Sequence, residues 1–146
     1  MRALIQRVLE AKVVVDGQIT GEIQQGLLVF LGLGKADTLE KGQKLIDKLL
    51  KYRIFDDENG KMGWSVTQAQ GGILLVSQFT LMANTQKGLR PDFSPAMPPA
   101  EAEALYQQLV DYTRLHFPQV QVGVFAADMK VHLVNDGPVT FNLEIE

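Results

Sequence analysis

Gly72-Ile73-Leu74-Leu75-Val76-Ser77-Gln78-Phe79-Thr80-Leu81 is the stretch on which the fold turns. Its first half is an uninterrupted β-branched and aliphatic run. Its second half breaks into small polar residues. A short run of this kind is a strand covered on both faces, and it delivers Ser77 and Thr80 to the point where the strand stops. Leu27-Leu28-Val29-Phe30-Leu31 has the same character. Outward from these two, residues 3–9 and Val13-Val14-Val15 are strand-like, and Asp16-Gly17 between β-branched runs marks a hairpin.

Leu39, Leu45, Ile46, Leu49 and Leu50 fall at helical spacing between Thr38 and Tyr52, with Asp37 as the expected cap. A short strand is expected around Arg53-Ile54-Phe55, ending in the turn 56–60. Pro98-Pro99 opens a second helix that carries Ala102, Leu105, Leu109 and Tyr112 on one face. Phe117-Pro118 stops it. Three strand-like segments follow: Val120–Phe125, Lys130–Val134 and Val139–Ile145. The last alternates, with Val139, Phe141, Leu143 and Ile145 on one side. The pattern predicts a mixed α/β fold of layered, barrel-like sheets with two helices. Its order is two strands, two strand-helix units and three strands, as one domain over residues 1–146.

At 146 residues, 46% hydrophobic and 21% charged, the chain has ordinary globular composition. A fold of this size buries roughly 68–70% of its unfolded surface. There is no cysteine, which excludes disulfides and thiolate metal sites and fits a reducing cytoplasm. Charge interrupts the N-terminal segment too early for a signal peptide, and no apolar run approaches the ~20 residues that span a bilayer. The net charge of −3 argues against broad electrostatic capture of nucleic acid, while leaving room for a local basic patch.

His116 and His132 share no metal-ligand spacing with other candidate ligands, so no metal or cofactor is expected. His116 belongs at a helix C-terminus, and His132 is read as a sheet residue rather than a general base. Gly32-Leu33-Gly34-Lys35-Ala36 fails as a phosphate loop, because position 29 is Val and Ala36 replaces the magnesium-binding hydroxyl. No Gly-x-Ser-x-Gly elbow surrounds Ser77.

Two short segments carry the candidate chemistry. In the first, Ser77 and Thr80 are hydroxyls without an evident base. They are nucleophile candidates, local caps of a strand end, or neighbours of amides able to hold an oxyanion. The second is Asn135-Asp136-Gly137-Pro138-Val139-Thr140, whose Gly-Pro step joins a permissive residue to one without an amide donor. The plain reading of that step is a turn before an edge strand. Lys87, Gly88 and Arg90 lie in a long polar stretch, 83–98, which is either a solvated loop or a basic arm for phosphates.

The two segments, together with Lys87-Gly88-Leu89-Arg90-Pro91-Asp92-Phe93 and Ala127-Asp128-Met129, resemble the D-aminoacyl-tRNA deacylases of bacteria and most eukaryotes. The resemblance runs the length of the chain. It implies a cytoplasmic homodimer with active sites at the subunit interface, acting in translation quality control. The substrate would be tRNA carrying a D-amino acid or glycine. Ser77, Gln78, Phe79 and Thr80 would form the catalytic segment. A cis Gly137-Pro138 step, with Asn135 beside it and Arg7 fixing it, would reject L-amino acids. Lys87 and Arg90 would contact tRNA. The 2′-hydroxyl of the tRNA would assist water, with no nucleophilic role for Thr80. Three other readings are a deacylase of relaxed chirality, a non-catalytic module that binds RNA ends, and a purely structural dimer, which would leave the long 83–98 loop unexplained.

Overall fold

The computed structural model describes residues 1–146. The elements are β1 (Arg2–Val15), β2 (Gln18–Ile23), β3 (Gly26–Gly32), α1 (Leu39–Lys51), β4 (Phe55–Asp56), β5 (Met62–Trp64), β6 (Gly72–Ser77), α2 (Pro99–His116), β7 (Val120–Val122) and β8 (Lys130–Glu144), with a 3-10 turn at Phe79–Met82. The main sheet runs β2-β1-β3-β6-β7, and β8 pairs along the other edge of β1. β1 is antiparallel to β2, β3 and β8, whereas β3, β6 and β7 are parallel. Gly21 of β2 lies so close to the Val122 carbonyl of β7 that no side chain fits between them, which nearly closes the sheet into a barrel. No helix is long and apolar enough to cross a membrane.

The two apolar runs are buried on both faces because each face meets a different core. Leu27, Val29, Leu31, Ile73 and Leu75 point toward the helices, joining Leu45, Leu49, Leu105 and Leu109. Leu28, Leu74 and Val76 point into the barrel with Val8, Ala11, Val13 and Ile23. Period-two alternation therefore puts both sets of side chains in apolar surroundings, and no polar position is needed. Gly42 of α1 faces Leu109 of α2, and the missing side chain lets the two helices cross closely.

The long strands are continuous where the sequence pattern suggests breaks. Residues 3–9 and 13–15 belong to one strand, and Lys130–Val134 and Val139–Ile145 are halves of β8. The final three segments are thus two strands, and β7 ends at Val122, short of Phe125. The interruption in β8 is a bulge. Gln6 pairs with Thr140 and Val8 with Asn135, so residues 136–139 stand opposite Arg7 alone. This irregularity changes which face is buried: Val131 and Leu133 pack on the barrel core, Val139 and Leu143 on the helix-covered core.

Two local expectations are corrected. Thr38, not Asp37, caps α1, its hydroxyl accepting from the Lys41 amide at 3.3 Å. The Asp37 carboxylate instead accepts from the Gly34 amide at 2.6 Å. The short strand expected near Ile54 begins at Phe55 and pairs with β5, which the sequence pattern does not mark. His116 ends α2 and packs against Tyr112 with the rings tilted and their centres 4.5 Å apart, and His132 is an exposed residue of β8.

Candidate active site

β6 delivers the first segment. Ser77 is its last residue, opposite Leu31, and the Gln78 amide still donates to the Leu31 carbonyl at 2.8 Å. The chain then winds into the 3-10 turn, with the Leu81 amide on the Gln78 carbonyl and the Ala83 amide on the Thr80 carbonyl, both at 3.2 Å. The first amides of such a turn have no partner within it. Here these are Phe79 and Thr80, and neither donates any of the loop and cap bonds. The turn packs flat on Gly32, where a Cβ would lie 2.9 Å from the Leu81 Cβ. Gln78 Nε2 donates to Thr80 Oγ1 at 2.6 Å.

Ser77, Gln78 and Phe79 line a cleft of about 520 Å³, whose walls are mostly apolar. Phe79 is 57% exposed and packs on Phe93 of the loop 83–98, with ring centres 5.1 Å apart. The only titratable side chains lining the cleft are Tyr106 and Asp128. The Tyr106 hydroxyl donates to the Leu75 carbonyl at 3.1 Å, and burial pushes it up to about 12. It keeps its proton throughout the neutral range. Asp128 pairs with Lys130 at 3.1 Å. The cleft therefore offers amide donors, an amide side chain and hydroxyls, but no histidine. No three His, Cys, Asp or Glu side chains cluster as a metal site.

The second segment lies elsewhere. Gly137-Pro138 is a cis step with Gly137 at φ +127°, exposed on the β8 bulge and outside the cleft lining. Arg7 holds it from beneath. This arginine is 7% exposed; its Nε donates to the Asp136 carbonyl at 3.1 Å and its Nη1 to the Ile54 carbonyl at 2.8 Å. The carboxylates of Asp136 and Asp56 flank it at 3.3 and 3.5 Å. A Cβ on Gly137 would stand 3.3 Å from Arg7 Nη2 and 2.8 Å from Val139 Cγ2. Asn135 pairs with Val8, and its Oδ1 accepts from Gln6 Nε2 at 3.4 Å.

Within one chain, then, Ser77, Gln78, Phe79 and Thr80 come together, as do Arg7, Asn135, Gly137 and Pro138; the two groups do not meet. Lys87 and Arg90 sit at the exposed tip of the loop, which the Asn84 and Asp92 backbones pinch together, flanking Leu89. At the neck of this loop, the Ser94 amide and hydroxyl hold the Asp92 carboxyl below its ordinary range. The sequence pattern missed Tyr106 and Phe125 as cleft walls. Its nearest signal is Phe125-Ala126-Ala127-Asp128, a turn in which Ala126 takes φ +62°.

The family model described as D-Tyr-tRNA(Tyr) deacylase matches residues 4–144. A D-aminoacyl-tRNA deacylase of Acinetobacter baumannii strain ACICU is 82% identical over 146 residues, covering 100% of this chain and 99% of the relative. That of Yersinia enterocolitica serotype O:8 is 59% identical, covering 99% of this chain and 100% of the relative. Among solved structures, one titled "c-Myc DNA Unwinding Element Binding Protein" superposes with a TM-score of 0.96 at 41% identity, covering 100% of this chain and 99% of that one. Another, "Structural Analysis of a probable eukaryotic D-amino acid tRNA deacylase", shares the fold at 16% identity with a TM-score of 0.84, covering 97% of this chain and 98% of that one. The chain belongs to the D-Tyr-tRNA(Tyr) deacylase family and is, as a deacylase, an ester hydrolase.

Proposed function

We propose that this chain, acting as one domain over residues 1–146, hydrolyses the ester between a D-amino acid, or glycine, and the terminal adenosine of tRNA. The observation that carries this reading is the pairing of a mostly apolar cleft, edged by the free Phe79 amide and without a histidine, with an exposed Gly137-Pro138 bulge outside it. Each supplies what the other lacks. A homodimer in which the bulge of one protomer enters the cleft of its partner would complete two equivalent sites.

In that site the Phe79 and Thr80 amides face the ester carbonyl. Negative charge develops on its oxygen as water adds, and preorganised donors favour that charge over the ground state. The one carboxylate lining the cleft, Asp128, is paired with Lys130, so the 2′-hydroxyl of the substrate ribose assists the attack. The tetrahedral carbon then expels the 3′-oxygen, which takes up the proton that the attacking water gave up through the neighbouring 2′-hydroxyl. Gln78 orients the ester, and Thr80 orients Gln78.

Chirality is read by backbone. The carbonyls of Gly137 and Pro138 accept from the substrate ammonium, which directs an L side chain into the bulge. Backbone fixed by a buried arginine cannot yield by changing rotamer, so L-esters are excluded. A D side chain points away, and glycine has none to exclude. Lys87 and Arg90 contact phosphates further along the tRNA, in the cytoplasm where translation supplies it. Hydrolysis of matched D- and L-tyrosyl-tRNA, with chelator present, tests the reading. Loss of the D-ester alone is expected. Loss of both would discard the chiral wall, and loss of neither would discard the enzyme.

A further inference from the structure

We infer that Arg2 is a positioning residue for the reaction, holding the 3-10 turn in place through the Leu81 carbonyl. The argument begins with register. In β1, Arg2 stands between Glu144 of β8 and Gly32 of β3. Gly32 is the bare patch on which the turn rests, within 2.9 Å of Leu81 by its missing Cβ. From the adjacent strand, Arg2 reaches across that patch. Its Nη1 donates to the Leu81 carbonyl at 2.8 Å and its Nε to Glu144 Oε1 at 2.9 Å.

The planar fork lets one side chain satisfy both acceptors with its own orientation fixed. Leu81 is in the last half of the turn, where carbonyls lack partners and a cation is favourable. Gln78, Phe79 and Thr80 belong to the same single turn, and the turn has no buried residue of its own to anchor it. Its orientation is set by the contacts with Gly32 and Phe93, the Leu31 bond to Gln78 and the Arg2 bond to Leu81. A turn that tilts moves the Phe79 and Thr80 amides relative to the ester. Strand β1 thus carries two arginines with separate duties: Arg7 for the bulge and Arg2 for the turn. This inference rests on the oxyanion reading of the turn given above.

The test compares wild type with Arg2→Gln, Arg2→Lys and Glu144→Gln, using D- and L-tyrosyl-tRNA. Binding of a non-hydrolysable amide analogue, D-tyrosyl-3′-aminoadenosine, counts the competent sites. Arg2→Gln is expected to lower kcat about tenfold per competent site, with KM and the D/L ratio unchanged. That loss is a fraction of the roughly 100-fold or greater cost of deleting an oxyanion donor. Arg2→Lys, which reaches one acceptor but not both, should fall between, and Glu144→Gln, which keeps an acceptor, should stay within about twofold. A kcat per competent site within twofold of wild type for Arg2→Gln would overturn the inference. So would a kcat loss that merely follows the loss of analogue-binding sites. A wild-type protein that hydrolyses neither ester overturns the oxyanion reading and this inference together; an active wild type with indifferent variants overturns only the inference.

Discussion

The Gln78 side chain donates to the Thr80 hydroxyl across 2.6 Å, so the two polar side chains of the turn act as one unit. The hydroxyl is an acceptor in that bond. No histidine or unpaired carboxylate lines the cleft to take its proton. On the proposed reading, Thr80 aims the amide of Gln78 rather than attacking.

Thr80→Ala should therefore keep most activity. Losing one neutral hydrogen bond of about 1 kcal/mol slows the reaction about fivefold. Single-turnover hydrolysis of D-tyrosyl-tRNA measures this. A collapse beyond about 100-fold, with an acyl-enzyme trapped from wild type, would make Thr80 the nucleophile.

Gly32→Ala should damage catalysis more than stability. The new Cβ would stand 2.9 Å from the Leu81 Cβ and 3.1 Å from the Gln78 carbonyl, so the turn must lift. The expected result is a kcat at least about tenfold lower with a destabilisation of about 1–3 kcal/mol, typical of overpacking. Kinetics alongside a urea titration separates the two effects.

Arg7→Met should cost both stability and chirality. It removes the donors for the Ile54 and Asp136 carbonyls and leaves Asp136 without its cation. Unfolding should become easier by about 2–4 kcal/mol. Because the bulge loses its support, L-tyrosyl-tRNA should begin to be hydrolysed. A variant that is destabilised but still rejects the L-ester would restrict Arg7 to a structural role.

Tyr106 predicts an alkaline limit. The fold favours its neutral form, holding the proton to about pH 12, while the unfolded chain releases it near the ordinary value of 10.0. Its contribution is complete below pH 10 and lost as pH climbs toward 12. Across that window it amounts to about 2–3 kcal/mol. Stability curves of wild type and Tyr106→Phe should differ in slope there and run parallel below it.

Much of this architecture was legible from residues alone. Asp16 and Gly17 adopt positive φ at the β1–β2 turn, as that dipeptide demands. Pro99 begins α2 and Phe117 ends it. The two apolar runs are the buried strands they resemble, because composition reports burial on both faces. The continuity of β8 was not legible, since its break in alternation is a bulge rather than a turn, and only the pairing with β1 distinguishes them. The β4–β5 pair was hidden for a similar reason: its strands are two and three residues long. In the site, Ser77 ends β6 and Gln78 leads directly into the turn that holds Phe79 and Thr80, as their adjacency implies. Arg2 gave no local signal, since its partners Leu81 and Glu144 are far away in the chain.

The central claim is that each site is shared between two chains, and subunit mixing tests it most directly. Gln78→Ala spoils the cleft, and Gly137→Ala spoils the bulge by crowding Val139 and Arg7. Alone, each should hydrolyse D-tyrosyl-tRNA poorly. After unfolding together and refolding, a mixed dimer has one site built from the intact cleft of one chain and the intact bulge of the other. Random pairing makes such sites about a quarter of the total, so D-selective activity should return to about that fraction of wild type. Activity no greater than the sum of the two separate variants would contradict a shared site.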